Sequence, residues 1–245
     1  MASPLAKLRQ EALAKQQKKS SPEKQFVANP NSLHLLLSEL ESDLKVLKTF
    51  NRTDEKVNHK REVLVPKYRQ AIEEYLAGDE QFDNPLFTQM VIWLFDIEDL
   101  ETAIEWCDIA IERGLDTPER FKRDFATFCA DEVLKWSERM ASYGHSIEPY
   151  FNHVFANLTP DENGEKPKWA ITEKLSAKWF KFAGLYLLRN EKGDVHAGSV
   201  GDTETLEKAK NFLLKAQDEH PAIGVKTMID KIEQRIRALE SGDNL

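Results

Sequence analysis

Carboxylates are the first residues in this chain whose type and spacing could do chemistry. They lie close together at Glu73 and Glu74 and again at Glu98, Asp99 and Glu101. Metal-dependent cleavage of a phosphodiester needs several carboxylates converging on one cation. The chain holds 42 acidic residues, so such neighbours arise often, and on helices they form a solvated face. His145 and His153 stand eight apart across Pro149, without the HExxH spacing of a zinc-ligand pair. Gly193–Gly201 (GDVHAGSVG) lacks the Gly-Lys-Ser/Thr ending of a phosphate loop and follows no strand, so it reads as a flexible loop. Cys107 and Cys129 fall on apolar helical faces and read as small core residues. Two cysteines exclude a disulfide framework and a cysteine-rich zinc site. The sequence therefore assigns no catalytic residue, no metal ligand and no cofactor.

The cations are the better candidates. Lys and Arg total 34 against the 42 acids, a net charge of -8, which at first argues against nucleic acid. The charges are unevenly spread, however. Residues 1–24 hold Lys7, Arg9, Lys15, Lys18, Lys19 and Lys24 against Glu11 and Glu23, a net of +4, so residues 25–245 carry -12. A second cationic stretch follows with Arg52, Lys56, Lys60, Arg61, Lys67 and Arg69. Several cations on one mobile segment can hold DNA beside an acidic body, because phosphate binding is driven by counterion release. These twelve residues are the candidate DNA contacts. The aromatic stripes Phe87, Trp93, Phe95, Trp106 and Phe121, Phe125, Phe128, Trp136 read as core rather than as base-stacking platforms.

The elements that must position these residues are helical throughout. No segment sustains a two-residue alternation, and ten Gly with ten Pro is too few for a loop-rich β protein. Residues 1–30 form a short flexible basic arm and linker, and a helical core spans 31–241. Within it, 31–78 reads as N-terminal helices, 79–158 as central hairpins and 159–241 as C-terminal hairpins. Leu33, Leu36, Leu37, Leu40, Leu44 and Leu47 mark the first core helix, and Pro66 breaks or kinks the next. Thr117-Pro118 opens a long helix closed by Gly144. Leu100-x2-Ala103-x6-Ala110 reappears as Leu206-x2-Ala209-x6-Ala216. Small residues at these offsets let antiparallel helices approach closely, so the hairpins are read as partly tetratricopeptide-like. At 41% hydrophobic residues the chain can bury a core, and no apolar run reaches 18 residues, so a soluble cytoplasmic protein is expected.

One ordered set of motifs carries a resemblance. It runs Lys60-Arg61-x-Val63-Leu64, Pro66, a helix closing at Gly78, Met90-Val91-x-Trp93-Leu94-x-Asp96, Asp99-Leu100-x2-Ala103-Ile104 and Ala110-Ile111-x2-Gly114-Leu115. Ala183-Gly184-Leu185-Tyr186-Leu187 and Gly224-Val225-Lys226-x2-Ile229 extend it. The chain resembles the small terminase subunit family of cos-type tailed bacteriophages over residues 32–240. The resemblance implies a packaging protein in the host cytoplasm that binds double-stranded viral DNA at cos. It also implies a homo-oligomer, as a ring or another assembly, that recruits the large ATPase and nuclease subunit. Endonuclease activity at cos, described for the family, is expected from the holoenzyme. The alternatives are a metal-dependent cos endonuclease within this chain and a tetratricopeptide-like adaptor that binds peptides. Family members can end in a long basic tail, whereas this chain ends in acidic Glu240-Ser-Gly-Asp-Asn-Leu245, which shifts the expected DNA anchor to the N-terminal arm.

Overall fold

A computed structural model describes residues 30–78, 82–160 and 164–242; the basic arm lies outside the described residues. The described residues are all-α, as the pattern requires, with an isolated Arg189–Val195 bridge and no strand among them. They gather into two compact units whose boundary falls between Asp99 and Leu100. Among the described residues no helix is long and apolar enough to cross a membrane.

The first unit contains α1 (Pro30–Thr49), α2 (Thr53–His59), a π-helical turn (Lys60–Leu64), α3 (Val65–Ala77) and α4 (Pro85–Asp96). Helix α4 starts where Pro85 follows Asn84, whose side chain accepts from the amides of Leu86 and Phe87. Every residue from Leu86 to Phe95 is buried, so α4 has no solvent face and acts as the core of the unit. Both α1 and α3 pack against it. From α3, Tyr68 lies 6.2 Å from the Trp93 ring and Tyr75 lies 5.7 Å from Phe87. The expected break at Pro66 takes a milder form. Proline has no N–H and its ring crowds the carbonyl four residues back, and the wide π turn just before it absorbs the misfit. The helix therefore continues through Pro66 to Ala77.

The second unit contains α5 (Leu100–Glu112), α6 (Phe125–Ser142), α7 (Tyr150–Leu158), α8 (Glu173–Tyr186), α9 (Thr203–Glu219) and α10 (Lys226–Ser241). Helix α6 begins seven residues later than Pro118 suggests. Asp124 caps it at the amide of Thr127, Thr117 donates to the carbonyl of Arg123, and Phe121 folds back to 5.5 Å from Phe128. A local cap and an aromatic contact outweigh the helix-start signal of Thr-Pro. Trp179 of α8 is fully buried, donates to the carbonyl of Ala130 and stacks 5.0 Å from Phe151 of α7.

Helices α8 and α9 run antiparallel: Gly184 faces Ala209 and Leu213, while Phe180 faces Phe212 and Lys215. Leu206, Ala209 and Ala216 of the repeated spacing are fully buried, as is Leu213. The segment read as a flexible loop is instead held in place. Asn190 accepts from the amides of Lys192 and Asp194, and His196 donates to the carbonyl of Leu188. Gly193 (φ +85) seats against the C-terminal end of α6, where a Cβ would stand 2.6 Å from the carbonyls of Ala141 and Ser142. Its side-chain-free backbone thus docks the loop, a tertiary role that glycine content alone does not reveal.

Gly184→Ala tests the α8–α9 contact. Propensity in a helix interior favours Ala over Gly by about 1 kcal/mol. A Cβ at Gly184, however, would stand 2.9 Å from the Ala209 carbonyl and the Leu213 side chain. Overpacking of this kind costs about 1–3 kcal/mol, so urea unfolding is expected to show net destabilisation.

Candidate nucleic-acid interface

Lys7, Arg9, Lys15, Lys18, Lys19 and Lys24 lie outside the described residues. The other six candidate cations fall on α2, the π turn and α3, and tertiary structure gives most of them carboxylate partners. Lys60 donates to Asp96 at the end of α4 at 2.6 Å, with its side chain only 13% exposed. Arg61 donates to Asn58 and to the carbonyl of Ile97, the residue that closes α4, where the helix dipole favours a cation. Lys67 lies 2.8 Å from Asp43 and 3.1 Å from Glu39 on α1, and Arg69 lies 3.0 Å from Asp99. Arg52 forms a two-point pair with Asp54 on the exposed surface. Lys56 is half-buried and makes no ion pair among the described residues.

The stretch that is cationic in sequence is thus close to neutral in space. Folding brings Glu39, Asp43, Glu73, Asp96 and Asp99 to its cations, all from outside residues 52–69. These pairs link α1 and α4 to the α2–α3 segment. Arg52 and Lys56 are the members whose cations are not tied to another element.

The candidate acidic and histidine residues are similarly engaged. Glu74 accepts from Gln70, and Glu73 and Asp99 share Arg69. Glu101 sits in the first turn of α5, where a negative charge complements the helix N-terminus. His153 pairs with Asp108 at 2.7 Å, whereas His145 lies beside Tyr143. Cys107 and Cys129 are both fully buried, and burial pushes the Cys129 thiol up, with the neighbouring Cys107 adding to the effect. Among the described residues no group of three or more His, Cys, Asp or Glu could hold a metal ion. One cationic run escapes the sequence reading: residues 166–190 hold six Lys and Arg against Glu173 alone. Its signal is a near-absence of acids across 25 residues, diluted by the apolar residues of α8.

The Asp43 cluster yields a pH prediction. Partial burial opposes ionisation of Asp43, but hydrogen bonds from Lys67 and Tyr68 outweigh it and hold the carboxyl below the usual aspartate range. Burial likewise opposes the Lys67 charge, and Asp43, Tyr68 and Glu39 outweigh it and raise that amine. A depressed carboxyl adds stability above its unfolded value of about 3.9 and loses it as pH falls through the folded value. The raised amine keeps its contribution below about 10.4 and loses it at higher pH. Asp43→Asn is therefore expected to cost about 1–2 kcal/mol near neutral pH. In urea unfolding against pH, the difference from wild type should shrink as pH falls below about 4.

Comparison of the sequence with known proteins identifies the family. The family model of the phage small terminase subunit matches residues 37–165. The "Probable terminase, endonuclease subunit" of Haemophilus phage HP1 (strain HP1c1) is 32% identical over 214 residues, covering 87% of this chain and 74% of the relative. The "Terminase, endonuclease subunit" of Escherichia phage P2 is 23% identical over 202 residues, covering 82% and 73%. No solved structure matches. The match spans α3, α4 and α5 together with the ion-paired stretch, and the chain belongs to the phage small terminase subunit family.

Proposed function

We propose that this chain is the DNA-recognition subunit of a packaging terminase: it binds viral DNA at cos, assembles as a homo-oligomer, and recruits the large ATPase and nuclease subunit. The observation that carries the reading is the family match over residues 37–165. The charge distribution supports a division of labour. The arm, with Lys7, Arg9, Lys15, Lys18, Lys19 and Lys24 at net +4, is the primary DNA contact. Arg52 and Lys56 add to it, while Lys60, Arg61, Lys67 and Arg69 reach phosphate only by exchanging their present partners. A single arm is weak, and several arms on one ring act together by raising effective concentration. The acidic remainder repels phosphate and confines DNA to the cationic surfaces.

Deleting residues 2–24 removes six cations. Gel-shift titrations over a range of salt are expected to show binding weakened at least about tenfold, with a markedly shallower salt slope. Native mass should show the same oligomer with and without the arm. Unchanged affinity and slope would remove the arm from the reading.

The curated relatives are both named endonuclease subunits, and that favours a second reading, in which this chain itself cleaves cos DNA with a metal ion. Magnesium-dependent cleavage by the purified chain without the large subunit, lost on substitution of a carboxylate, would establish it. Cleavage that needs the large subunit would assign the activity to the holoenzyme.

A further inference from the structure

Residues 100–245 hold 20 cations and 26 acids, a net of -6, yet residues 166–190 within them are net +5. This local reversal of sign has a defined shape. Lys174, Lys178 and Lys181 recur at i, i+4 and i+7, so they share one face of α8. Lys166, Lys168, Lys174 and Lys178 are exposed, and none makes an ion pair among the described residues. The face continues into a groove of about 580 Å³ lined by Lys135, Lys178, Lys181 and Arg189, with Asp131 and Glu138 as its acids.

The groove's carboxylates leave Lys178 and Lys181 without an ion pair among the described residues. Asp131 holds Arg123 and Lys135, and Lys135 also pairs with Glu132, so its charge is taken up within the protein. Lys181 donates once, to the carbonyl of Ile223 at 2.8 Å, which leaves two donors on its ammonium. Arg189 donates from one terminal nitrogen to the Gly193 carbonyl, and its Nε is buried without a hydrogen-bond partner. A buried, charged donor left without an acceptor is unfavourable.

The distribution of the cations points to a polyanion. A cage for one small anion would converge its donors on a point, whereas these run from the groove out along an exposed helix face. From Lys174 to Lys181 the helix rises about 10 Å, the axial rise of roughly three phosphates in one strand of duplex DNA. We propose that the α8 face of Lys174, Lys178 and Lys181, with Arg189 in the adjoining groove, contacts the phosphate backbone of double-stranded DNA. The inference rests on the DNA-binding reading above and adds a second contact, independent of the arm. Contacts to phosphate position a protein and carry no base information, so this face sets affinity and salt dependence, not site choice.

The test uses the full chain and the double variant Lys174→Gln/Lys178→Gln, both exposed positions, with Lys174→Arg/Lys178→Arg as the charge-preserving control. Binding to a packaging-site duplex and to a scrambled duplex is measured from about 50 to 300 mM salt, with native mass and thermal melting checked for each variant. The Gln variant is expected to bind both duplexes about tenfold or more weakly, with the salt slope shallower by about 1.8, the value for two lost phosphate contacts. The Arg variant is expected to keep the wild-type slope. Wild-type affinity and slope in the Gln variant, alongside weakened binding by the arm deletion, would overturn this assignment alone. Wild-type protein that binds neither duplex would overturn the DNA-binding reading itself. Weakened binding to the packaging-site duplex only would overturn the backbone assignment. Intact DNA binding with lost association of the large subunit would give the face to an acidic protein surface instead, and overturn the proposal.

Discussion

Helix α4 sets the terms for the first unit because it has no side left for water. Leu86 to Phe95 are all buried, so the helix is stable only when other elements enclose it. A buried large apolar side chain contributes about 1.5–3 kcal/mol, and losing one from a close-packed site adds the penalty of the cavity. Helices α1 and α3 must therefore be held against α4. The polar groups near their contacts are arranged to do this: Tyr68 packs its ring toward Trp93 while its hydroxyl donates to Asp43 on α1. Lys67 reaches the same carboxylate.

The same constraint explains why cationic side chains are bound up in the fold. The C-terminal end of α4 presents Asp96 and the carbonyl of Ile97, and Lys60 and Arg61 meet both from the π turn. That turn winds wider than an α-helix, which shifts the phase of the residues that follow it. It also accommodates Pro66 without ending the helix. The stretch that could have been an open phosphate face is mainly a fastening between helices.

In the second unit the organising contacts are aromatic stacking around Trp179 and the glycine-mediated approach of α8 to α9. With the apolar face of α8 turned inward, Lys174 and Lys178 remain at the surface. Amphipathic patterning of one helix thereby creates both a core contact and a cationic face. In the proposed scheme the arm and this face are two separate anchors for one polyanion, each too weakly charged to hold it alone at high salt.

Much of this was legible in the chain itself. Apolar spacing determined the all-α class, and Gly78 and Gly144 marked the ends of two helices, because caps and periodicity are local properties. The ordered motifs from Lys60 to Leu115 were enough to mark the family. Tertiary structure alone decided which charges are available. Lys60 and Asp96 are 36 residues apart, and no local spacing reveals that folding places them 2.6 Å from each other. It likewise decided that Gly193 docks a loop and that α6 starts at Phe125, since a distant backbone and a folded-back aromatic ring settle those questions. Net charge is a sum over the sequence, but binding responds to the charges left unpaired at the surface, and pairing is a property of the fold.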